Sequence, residues 1–238
     1  MKILILGYGK MGKAIEEIAE ERGHSIEHKI NINNTQALKF IKPDEIDVAI
    51  EFSQPDAAFD NLSYCLENNI PVVSGTTGWL DRKNEIEALC TQKNGTFFYA
   101  SNYSLGVNLF FKLNDILAQM MKQHQNYDVE VTEIHHTEKL DAPSGTAISL
   151  AEALISNLSS KTEWINEPSD EENVLPIISK REANFPGTHI INYTSDVDEI
   201  EIKHTAKSRT GFALGAVLVA EWILDKKGIL SMKDFMKF

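Results

Sequence analysis

Short apolar runs alternate with helix-like segments over the first hundred residues, and this alternation limits the possible folds more than any other feature. The apolar runs predict strands at residues 2–6, 25–30, 47–52, 71–74 and 96–99. The segments between them predict helices at residues 11–22, 36–41, 56–68 and 80–93. Continuous apolar strands separated by helices are typical of a parallel sheet covered on both faces. We therefore predict an α/β fold with a Rossmann-like, doubly wound parallel sheet.

The second half of the chain has a different pattern. A long helix begins near Gly106, and the strands predicted at 127–137, 175–181, 189–195 and 199–206 have few helices between them. This favours an α+β domain with an open mixed or antiparallel sheet. The segment 211–226 is apolar nearly all round, which indicates a buried C-terminal helix that returns to the first domain. We place the first domain at residues 1–104, completed by a C-terminal helix at 211–238, and the second at 105–210.

Charge and composition exclude several classes of protein. The net charge of −12 disfavours nucleic acids and anionic membranes as partners, since both select basic surfaces. The chain opens directly on a strand, so we expect no signal peptide, and its longest apolar run is too short to span a bilayer. Cys65 and Cys90 lack metal-ligand spacing and fall in predicted helices, which favours buried, reduced thiols in a cytoplasmic protein.

A glycine-rich turn joins the first strand to the first helix. Its sequence, Gly7-Tyr-Gly-Lys-Met-Gly12, has the Gly-x-Gly-x-x-Gly spacing in the context that makes the pattern a dinucleotide fingerprint. The glycines allow a tight turn and close approach of a pyrophosphate to the helix N-terminus. An acidic residue is expected at the end of the second strand, where this chain has Asn31. The bland alternative is a generic glycine turn of another α/β protein.

Two further loops follow later strands of the predicted parallel sheet. Ser74-Gly-Thr-Thr-Gly78 comes after the fourth strand, and Ala100-Ser-Asn-Tyr-Ser-Leu-Gly106 comes after the fifth. Open parallel sheets bind their ligands at this carboxyl edge. Either loop alone is ordinary turn chemistry, but three such loops at one edge favour a cofactor site.

Proton donors and a helix start are concentrated between Glu133 and Ala147. His135 and His136 exchange protons near neutral pH, and Lys139 adds a positive charge that can also donate a proton. Ser144 is typical of an N-cap, which would leave the backbone N–H groups of the next residues free for an anion. Proton donors beside a carboxylate-binding helix start predict a catalytic site for a small acid. The bland alternative is a surface loop with a capped helix.

With these residues in place, the chain resembles the 4-hydroxy-tetrahydrodipicolinate reductases, nicotinamide-dependent enzymes of the diaminopimelate route to lysine. The most specific match is Glu133-Ile-His-His-Thr-Glu-Lys-Leu-Asp-Ala-Pro-Ser-Gly-Thr-Ala147. The Gly75 and Ala100 loops and His204-Thr-Ala-Lys-Ser-Arg-Thr-Gly-Phe-Ala-Leu-Gly-Ala216 also resemble family elements. The resemblance implies a dinucleotide-binding first domain and a second domain for substrate binding and oligomerisation. It also implies a cytoplasmic homotetramer acting on a small cyclic dicarboxylate.

The resemblance, together with the pattern above, gives roles to individual residues. The expected catalytic residues are His135 and Lys139, as acid/base and proton donor. The expected substrate-binding residues are His136, Ser144, Gly145, Thr146 and Arg209. The expected cofactor-binding residues are Gly7, Tyr8, Gly9, Lys10, Met11, Gly12, Asn31, Gly75, Thr76, Thr77, Ala100, Ser101, Asn102, Tyr103 and Phe212. No metal site is predicted.

Cofactor choice and two rival functions stay open at this point. Asn31 carries no charge to repel a 2′-phosphate, so we expect the chain to use both NADH and NADPH. One rival is a different dehydrogenase on the same two-domain plan, for example one acting on an amino dicarboxylate. The other is a dinucleotide-binding redox sensor, although such sensors usually carry a basic DNA-binding module.

Overall fold

The computed structural model describes residues 1–183, 185–208 and 210–237, and the chain divides into two units. The first unit consists of Met1–Leu105 and Thr210–Phe238, and the second of Gly106–Arg209. The segment after residue 209 therefore belongs with the N-terminal unit, as the apolar character of its first helix predicted.

The first unit is built on a parallel sheet of six strands. They are β1 (Lys2–Leu6), β2 (Ser25–Ile30), β3 (Val48–Glu51), β4 (Val72–Ser74), β5 (Thr96–Tyr99) and β11 (Gly228–Leu230). Their order is β11-β5-β4-β3-β1-β2, and all five neighbouring pairs are parallel. The order reverses between β1 and β3, where Leu6 pairs with Glu51. Doubly wound sheets bind ligands at such a reversal point.

Helices cover both faces of this sheet. They are α1 (Lys10–Glu21), α2 (Pro55–Glu67), α3 (Lys83–Lys93) and α6 (Thr210–Trp222). On one face Ile3 and Ile5 share a buried cluster with residues of α1 and α6. On the other face Leu4 and Leu6 pack with residues of α2 and α3. Because both faces are buried, β1 is apolar at every position from Ile3 to Leu6, which confirms the predicted doubly wound sheet.

The C-terminal region differs from the single long helix that the sequence predicted. α6 ends at Trp222, and a 3₁₀ turn at Ile223–Asp225 follows it. Strand β11 then pairs with β5, and a short helix α7 (Met232–Met236) comes last. The prediction of helix through residue 226 and of a helical C-terminus was wrong. Gly228, at φ +97°, redirects the backbone into a three-residue edge strand.

The second unit contains a mixed sheet of five strands. They are β6 (Asp128–His135), β7 (Glu163–Ile165), β8 (Val174–Arg181), β9 (Thr188–Thr194) and β10 (Glu199–Thr205). In the order β10-β9-β6-β8-β7, the first two pairs are antiparallel and the last two parallel. The mixed sheet was predicted, but β7 was not. Residues of α4 (Leu105–Met121) and α5 (Gly145–Asn157) form a buried core with β6, β8 and β9.

The two cysteines and the helices agree with two further expectations from the sequence. Cys65 and Cys90 are buried free thiols, as predicted. Burial raises the pKa of the Cys65 thiol far above its ordinary value, so the thiol stays protonated. Among the helices in the described part of the chain, none combines the length and apolar character needed to cross a membrane.

Candidate functional site

The glycine turn after β1 leaves the start of α1 open. Gly7 has φ +97°, and a Cβ there would lie 2.0 Å from the carbonyl oxygen of Phe52, so glycine is required. Gly9 is the N-cap of α1, makes no side-chain cap bond, and has no heavy atom within 4 Å of an added Cβ. Open backbone at an uncapped helix N-terminus fits a pyrophosphate. The first turn of that helix carries the predicted contacts Lys10, Met11 and Gly12.

At the end of β2, Lys29 is paired with a residue of α1. Its ammonium lies 2.5 Å from the Glu16 carboxylate and 5.1 Å from the centre of the Tyr8 ring. The Tyr8 hydroxyl donates to Glu16 as well. Lys29 therefore points to α1 with its charge compensated. Asn31 uses its side-chain oxygen to accept from the Asn33 N–H at 2.8 Å, and we find no hydrogen bond from its amide nitrogen within the described residues.

A buried carboxylate connects the loops after β3 and β4. Glu51 is fully buried at the end of β3 and accepts from the Ser74 hydroxyl at 2.7 Å and the Thr76 hydroxyl at 2.8 Å. The Ser53 N–H donates to both Glu51 and Thr76, at 3.0 and 2.8 Å. The Thr76 side chain is thus turned inward, while Thr77 is exposed. The sequence did not predict this role of Glu51, because the hydroxyls that donate to it from the next loop, those of Ser74 and Thr76, are 23 and 25 residues away.

Gly75 and the loop after β5 complete this edge of the first unit. A Cβ on Gly75 would lie 2.1 Å from the Phe52 ring, so the loop depends on glycine there. Tyr103 is 1% exposed and donates its hydroxyl to the carbonyl of Ser74 at 2.7 Å. The ring of Tyr103 thus packs in the core, and its hydroxyl is used within the protein. The other predicted residues here are buried Ala100, exposed Ser101, and half-buried Asn102 and Phe212.

In the second unit, the inward face of β6 changes from apolar to ionisable at its end. Val129, Val131, Glu133 and His135 are the buried positions of this strand. His135 Nδ1 lies 3.2 Å from a Glu133 oxygen, within ion-pair distance although the contact lacks good hydrogen-bond geometry. The ring of His189, on β9, lies edge-on to His135 with centroids 5.1 Å apart.

Two pKa shifts follow from this packing. Burial would raise the pKa of Glu133, but His135 and the hydrogen bonds from Ser144 and Ser179 outweigh it and hold that pKa far below its ordinary value. Burial, with the nearby charge of His135, lowers the pKa of His189 to about 4. Glu133 is therefore charged and His189 neutral at neutral pH.

The loop after β6 carries the other predicted proton donor. The Lys139 ammonium lies 2.8 Å from both Asp141 oxygens, and this lysine lowers the pKa of Asp141. The Arg181 guanidinium donates to the Asp141 carbonyl at 2.6 Å and to Glu133 at 3.2 Å. His136 is half-buried, and its Nδ1 is a buried atom without a hydrogen-bond partner in the described residues. His135, His189 and Lys139 thus belong to one network with two acidic residues, Glu133 and Asp141.

The start of α5 confirms the predicted cap. Ser144 is the N-cap, and its hydroxyl accepts from the Ala147 N–H at 3.2 Å and lies 3.2 Å from His189 Nε2. The Ser144 hydroxyl is therefore occupied within the protein. The N–H groups of Gly145 and Thr146 have no intrahelical acceptor, and none is found elsewhere in the described residues. They are free to bind an anion. Arg209, the fifth predicted substrate contact, lies outside the described residues.

The atoms of Glu133, His135 and His189 could in principle surround a metal ion, since they lie within 4.8 Å of one another. The Glu133 oxygens, however, already face the Ser144 N–H, the Ser179 hydroxyl and Arg181. A cation would have to displace these donors. The arrangement therefore suits a hydrogen-bonded proton-transfer group better than a metal centre.

Comparison with known proteins gives matches over the whole length. The family model for the N-terminus of dihydrodipicolinate reductase matches residues 1–103, and that for its C-terminus matches 106–236. A 4-hydroxy-tetrahydrodipicolinate reductase of Christiangramia forsetii is 52% identical over 238 residues, covering 99% of this chain and 98% of the relative. One of Clostridium novyi is 34% identical over 255 residues, with 99% and 98% covered.

Among solved structures, the fold resembles that of a dipicolinate-bound dihydrodipicolinate reductase from Paenisporosarcina sp. TG-14. The TM-score is 0.78 at 23% identity, with 99% of each chain covered. This likeness supports the observed arrangement of a parallel sheet followed by a mixed one.

Proposed function

Since the chain belongs to the dihydrodipicolinate reductase family, we propose that it reduces 4-hydroxy-tetrahydrodipicolinate to tetrahydrodipicolinate in the diaminopimelate route to lysine. The observation that carries this proposal is the 52% identity to a 4-hydroxy-tetrahydrodipicolinate reductase along nearly the whole of both chains. The geometry of the second unit supports it, because buried ionisable groups lie beside a helix start with free N–H groups.

The first unit would bind the nicotinamide cofactor, which supplies the hydride when bound. The uncapped start of α1 and the open backbone at Gly9 fit the pyrophosphate. Exposed Thr77 and Ser101, together with backbone groups of Gly75 and Ala100, would contact the remainder. Thr76 and Tyr103 would act by shaping these loops, since their hydroxyls already have protein partners.

The second unit would hold the cyclic dicarboxylate and provide the proton. One carboxylate would accept hydrogen bonds from the N–H groups of Gly145 and Thr146 and from the Thr146 hydroxyl. The 4-hydroxyl group must first leave as water, which creates the unsaturated ring carbon. Hydride addition to that carbon moves an electron pair onto the conjugated imine nitrogen, which must then take a proton. His135 or Lys139 would deliver that proton, a contribution of roughly 10²–10⁴-fold in rate. His136 and Arg209 would help to bind the charged substrate.

For Lys139 to act as a donor, its ammonium must leave Asp141 or share it with the substrate. The pair lies on a loop where the Asp141 carboxylate is largely exposed, with a side-chain exposure of 61%. An exposed ion pair of this kind is weak, with a strength of roughly 0–1 kcal/mol. A substrate carboxylate, or the negative charge that develops on the imine nitrogen, can therefore compete with Asp141 for the ammonium. Asp141 would bind the Lys139 ammonium when no substrate is present.

The residues at the end of β2 are the basis for the expected use of both NADH and NADPH. No carboxylate occupies position 31, and the free amide nitrogen of Asn31 is a donor that suits a ribose oxygen or a phosphate. Lys29 is compensated by Glu16, so it adds little attraction for a 2′-phosphate. We expect kcat/KM values for NADH and NADPH that differ by no more than about tenfold, which corresponds to about 1.4 kcal/mol.

The family resemblance also implies a cytoplasmic homotetramer assembled through the sheet of the second unit. The buried free thiols of Cys65 and Cys90 suit a reducing compartment. Light scattering coupled to size-exclusion chromatography tests the assembly, because a mass of four chains is expected and a monomer would contradict it.

The activity is tested by following NADH and NADPH oxidation with enzymatically generated 4-hydroxy-tetrahydrodipicolinate. We expect turnover with both cofactors and inhibition by pyridine-2,6-dicarboxylate. Absence of turnover, together with oxidation of the cofactor in the presence of an amino-dicarboxylate precursor, would favour the rival dehydrogenase. Cofactor binding without turnover of either substrate would favour a sensor.

A further inference from the structure

Glu133 occupies a position where an apolar side chain would be expected. Its side chain is fully buried on the inward face of β6, in line with Val129 and Val131. Burying an ionised carboxylate costs several kcal/mol unless well-placed donors compensate it. Such compensation is present here, and the donors come from separate segments of the second unit. The carboxylate therefore has a specific set of partners and is not a generic core residue.

The first partner is the imidazole of His135. Nδ1 lies 3.2 Å from Glu133 Oε2, which leaves Nε2 as the nitrogen available for a ligand. A carboxylate beside one ring nitrogen favours the tautomer in which that nitrogen carries the proton. Gly187, at φ +154°, has no side chain to cover the other nitrogen, since an added Cβ would lie 3.1 Å from Nε2. The ring thus faces Glu133 through Nδ1, and Gly187 places no side chain over Nε2.

The second and third partners are the Ser144 N–H and the Arg181 guanidinium, which connect Glu133 to the two remaining parts of the proposed substrate site. The Ser144 N–H donates to the Glu133 oxygens at 3.1 and 3.2 Å, which fixes the residue just before the free N–H groups of α5. Arg181 donates to Glu133 at 3.2 Å and to the Asp141 carbonyl at 2.6 Å. Asp141 in turn holds Lys139. One buried carboxylate is therefore linked to His135 directly, to the start of α5 through Ser144, and to Lys139 through Arg181 and Asp141.

We propose that Glu133 is a positioning residue that holds His135 in its Nδ1–H tautomer, with Nε2 toward the substrate, and fixes the start of α5 beside that ring. The proposal rests on the proposed reductase function, which gives His135 its role in proton transfer. Neither the sequence resemblance nor the comparisons assign a role to Glu133.

The tautomer is measured on the unaltered protein, and a variant serves only to assign the signals. In ¹⁵N-histidine-labelled wild-type protein at mildly alkaline pH, we expect the neutral His135 ring to be protonated on Nδ1. Its signals are assigned by their loss in His135→Gln. Protonation on Nε2 would overturn the proposal.

The kinetic test compares Glu133→Gln with Glu130→Gln, which makes the same change at an exposed position on the same strand. We expect Glu133→Gln to lower kcat at least tenfold, with the Kd for NADH unchanged within twofold and Nδ1 protonation of His135 lost. Glu133→Asp, which keeps the charge, should recover part of the kcat. Glu130→Gln should resemble wild type. A kcat within twofold of wild type in folded Glu133→Gln would overturn the proposal.

The two proposals fail in different ways. If the wild-type protein does not turn over 4-hydroxy-tetrahydrodipicolinate, the proposed function fails, whereas the His135 tautomer still reports on the contact with Glu133. If wild type is active and the ring is protonated on Nε2, the reductase function stands and the role of Glu133 is refuted.

Discussion

The neutral imidazole of His189 should make the stability of the second unit depend on pH. The ring is 6% exposed and lies among His135 and Glu133 on β6, Lys139 on the following loop, and His204 on β10. Burial and the positive charges of these neighbours disfavour its protonated form, and only Glu133 favours it. As the pH falls, His189 therefore takes up a proton in the unfolded chain while it stays neutral in the folded protein.

The size of the effect follows from the shift of this pKa. A fall from 6.5 to about 4, at about 1.4 kcal/mol per pKa unit, corresponds to about 3 kcal/mol. The folded-state pKa is the lower one, so the unfolded chain takes up the proton first as the pH falls. The stability is fully present above pH 6.5 and is lost as the pH falls toward 4. Between roughly pH 7.5 and pH 5 the loss should be about 2 kcal/mol.

The assay compares urea unfolding of wild type and His189→Gln across that range. Gln keeps a donor near the Ser144 hydroxyl but does not titrate. Of the three tryptophans, Trp164 lies in the second unit. A background with Trp79→Phe and Trp222→Phe makes its fluorescence report that unit. Glu133, whose pKa is lowered, titrates at lower pH and is unchanged between the two proteins.

We expect the variant to lose about 2 kcal/mol less than wild type between pH 7.5 and pH 5. The matched control is His124→Gln, at an exposed histidine of the same unit, which should keep the wild-type dependence. Equal pH dependence in His189→Gln and wild type would refute the reasoning, since it would mean that His189 takes up a proton as readily in the folded state as in the unfolded one.

Two further predictions concern the ligands. Thr146→Val keeps the size of the side chain but removes its hydroxyl, so pyridine-2,6-dicarboxylate should bind more weakly by roughly 1–3 kcal/mol in calorimetry; a lower Tm with unchanged affinity would instead indicate support of the helix start alone. Asn31→Asp should shift the ratio of the kcat/KM values for NADH and NADPH toward NADH, because the new carboxylate repels the 2′-phosphate of NADPH. Glu16→Gln should shift the same ratio toward NADPH by about two- to fivefold, because Lys29 loses its ion-pair partner and can attract that phosphate. An unchanged ratio in both variants would show that the specificity determinant lies elsewhere.

The sequence predicted the elements of the first unit well because their patterns are local. β1 and β5 contain apolar runs because both faces of the sheet are buried. Such a run is visible in the sequence whichever strands lie beside it. β7 and β11 were missed because each has only three residues and, unlike the equally short β4, neither is fully buried, so no buried apolar run marks them. Their pairing with β8 and β5 is decided by tertiary contacts.

The candidate site shows the same division between local and distant contacts. The Ser144 cap was predictable, since its acceptor and donor lie three residues apart. The networks around Glu51 and Glu133 were not, because their hydrogen bonds join residues as far as 48 positions apart. The pattern around Tyr103 indicated a loop after a strand but not the burial of its ring, which depends on the Ser74 carbonyl 29 residues away that accepts from its hydroxyl.

The most direct test of the central claim, that this chain is a reductase in which His135 and Lys139 handle the proton, is the kcat of His135→Ala and of Lys139→Ala. We expect each variant to lower kcat sharply, roughly 10²–10⁴-fold, while the Kd for NADH measured by fluorescence stays within twofold of wild type. Loss confined to kcat indicates a group that acts in the transition state. Near-normal turnover in either variant, or loss of NADH binding to the same extent as loss of activity, would contradict the account.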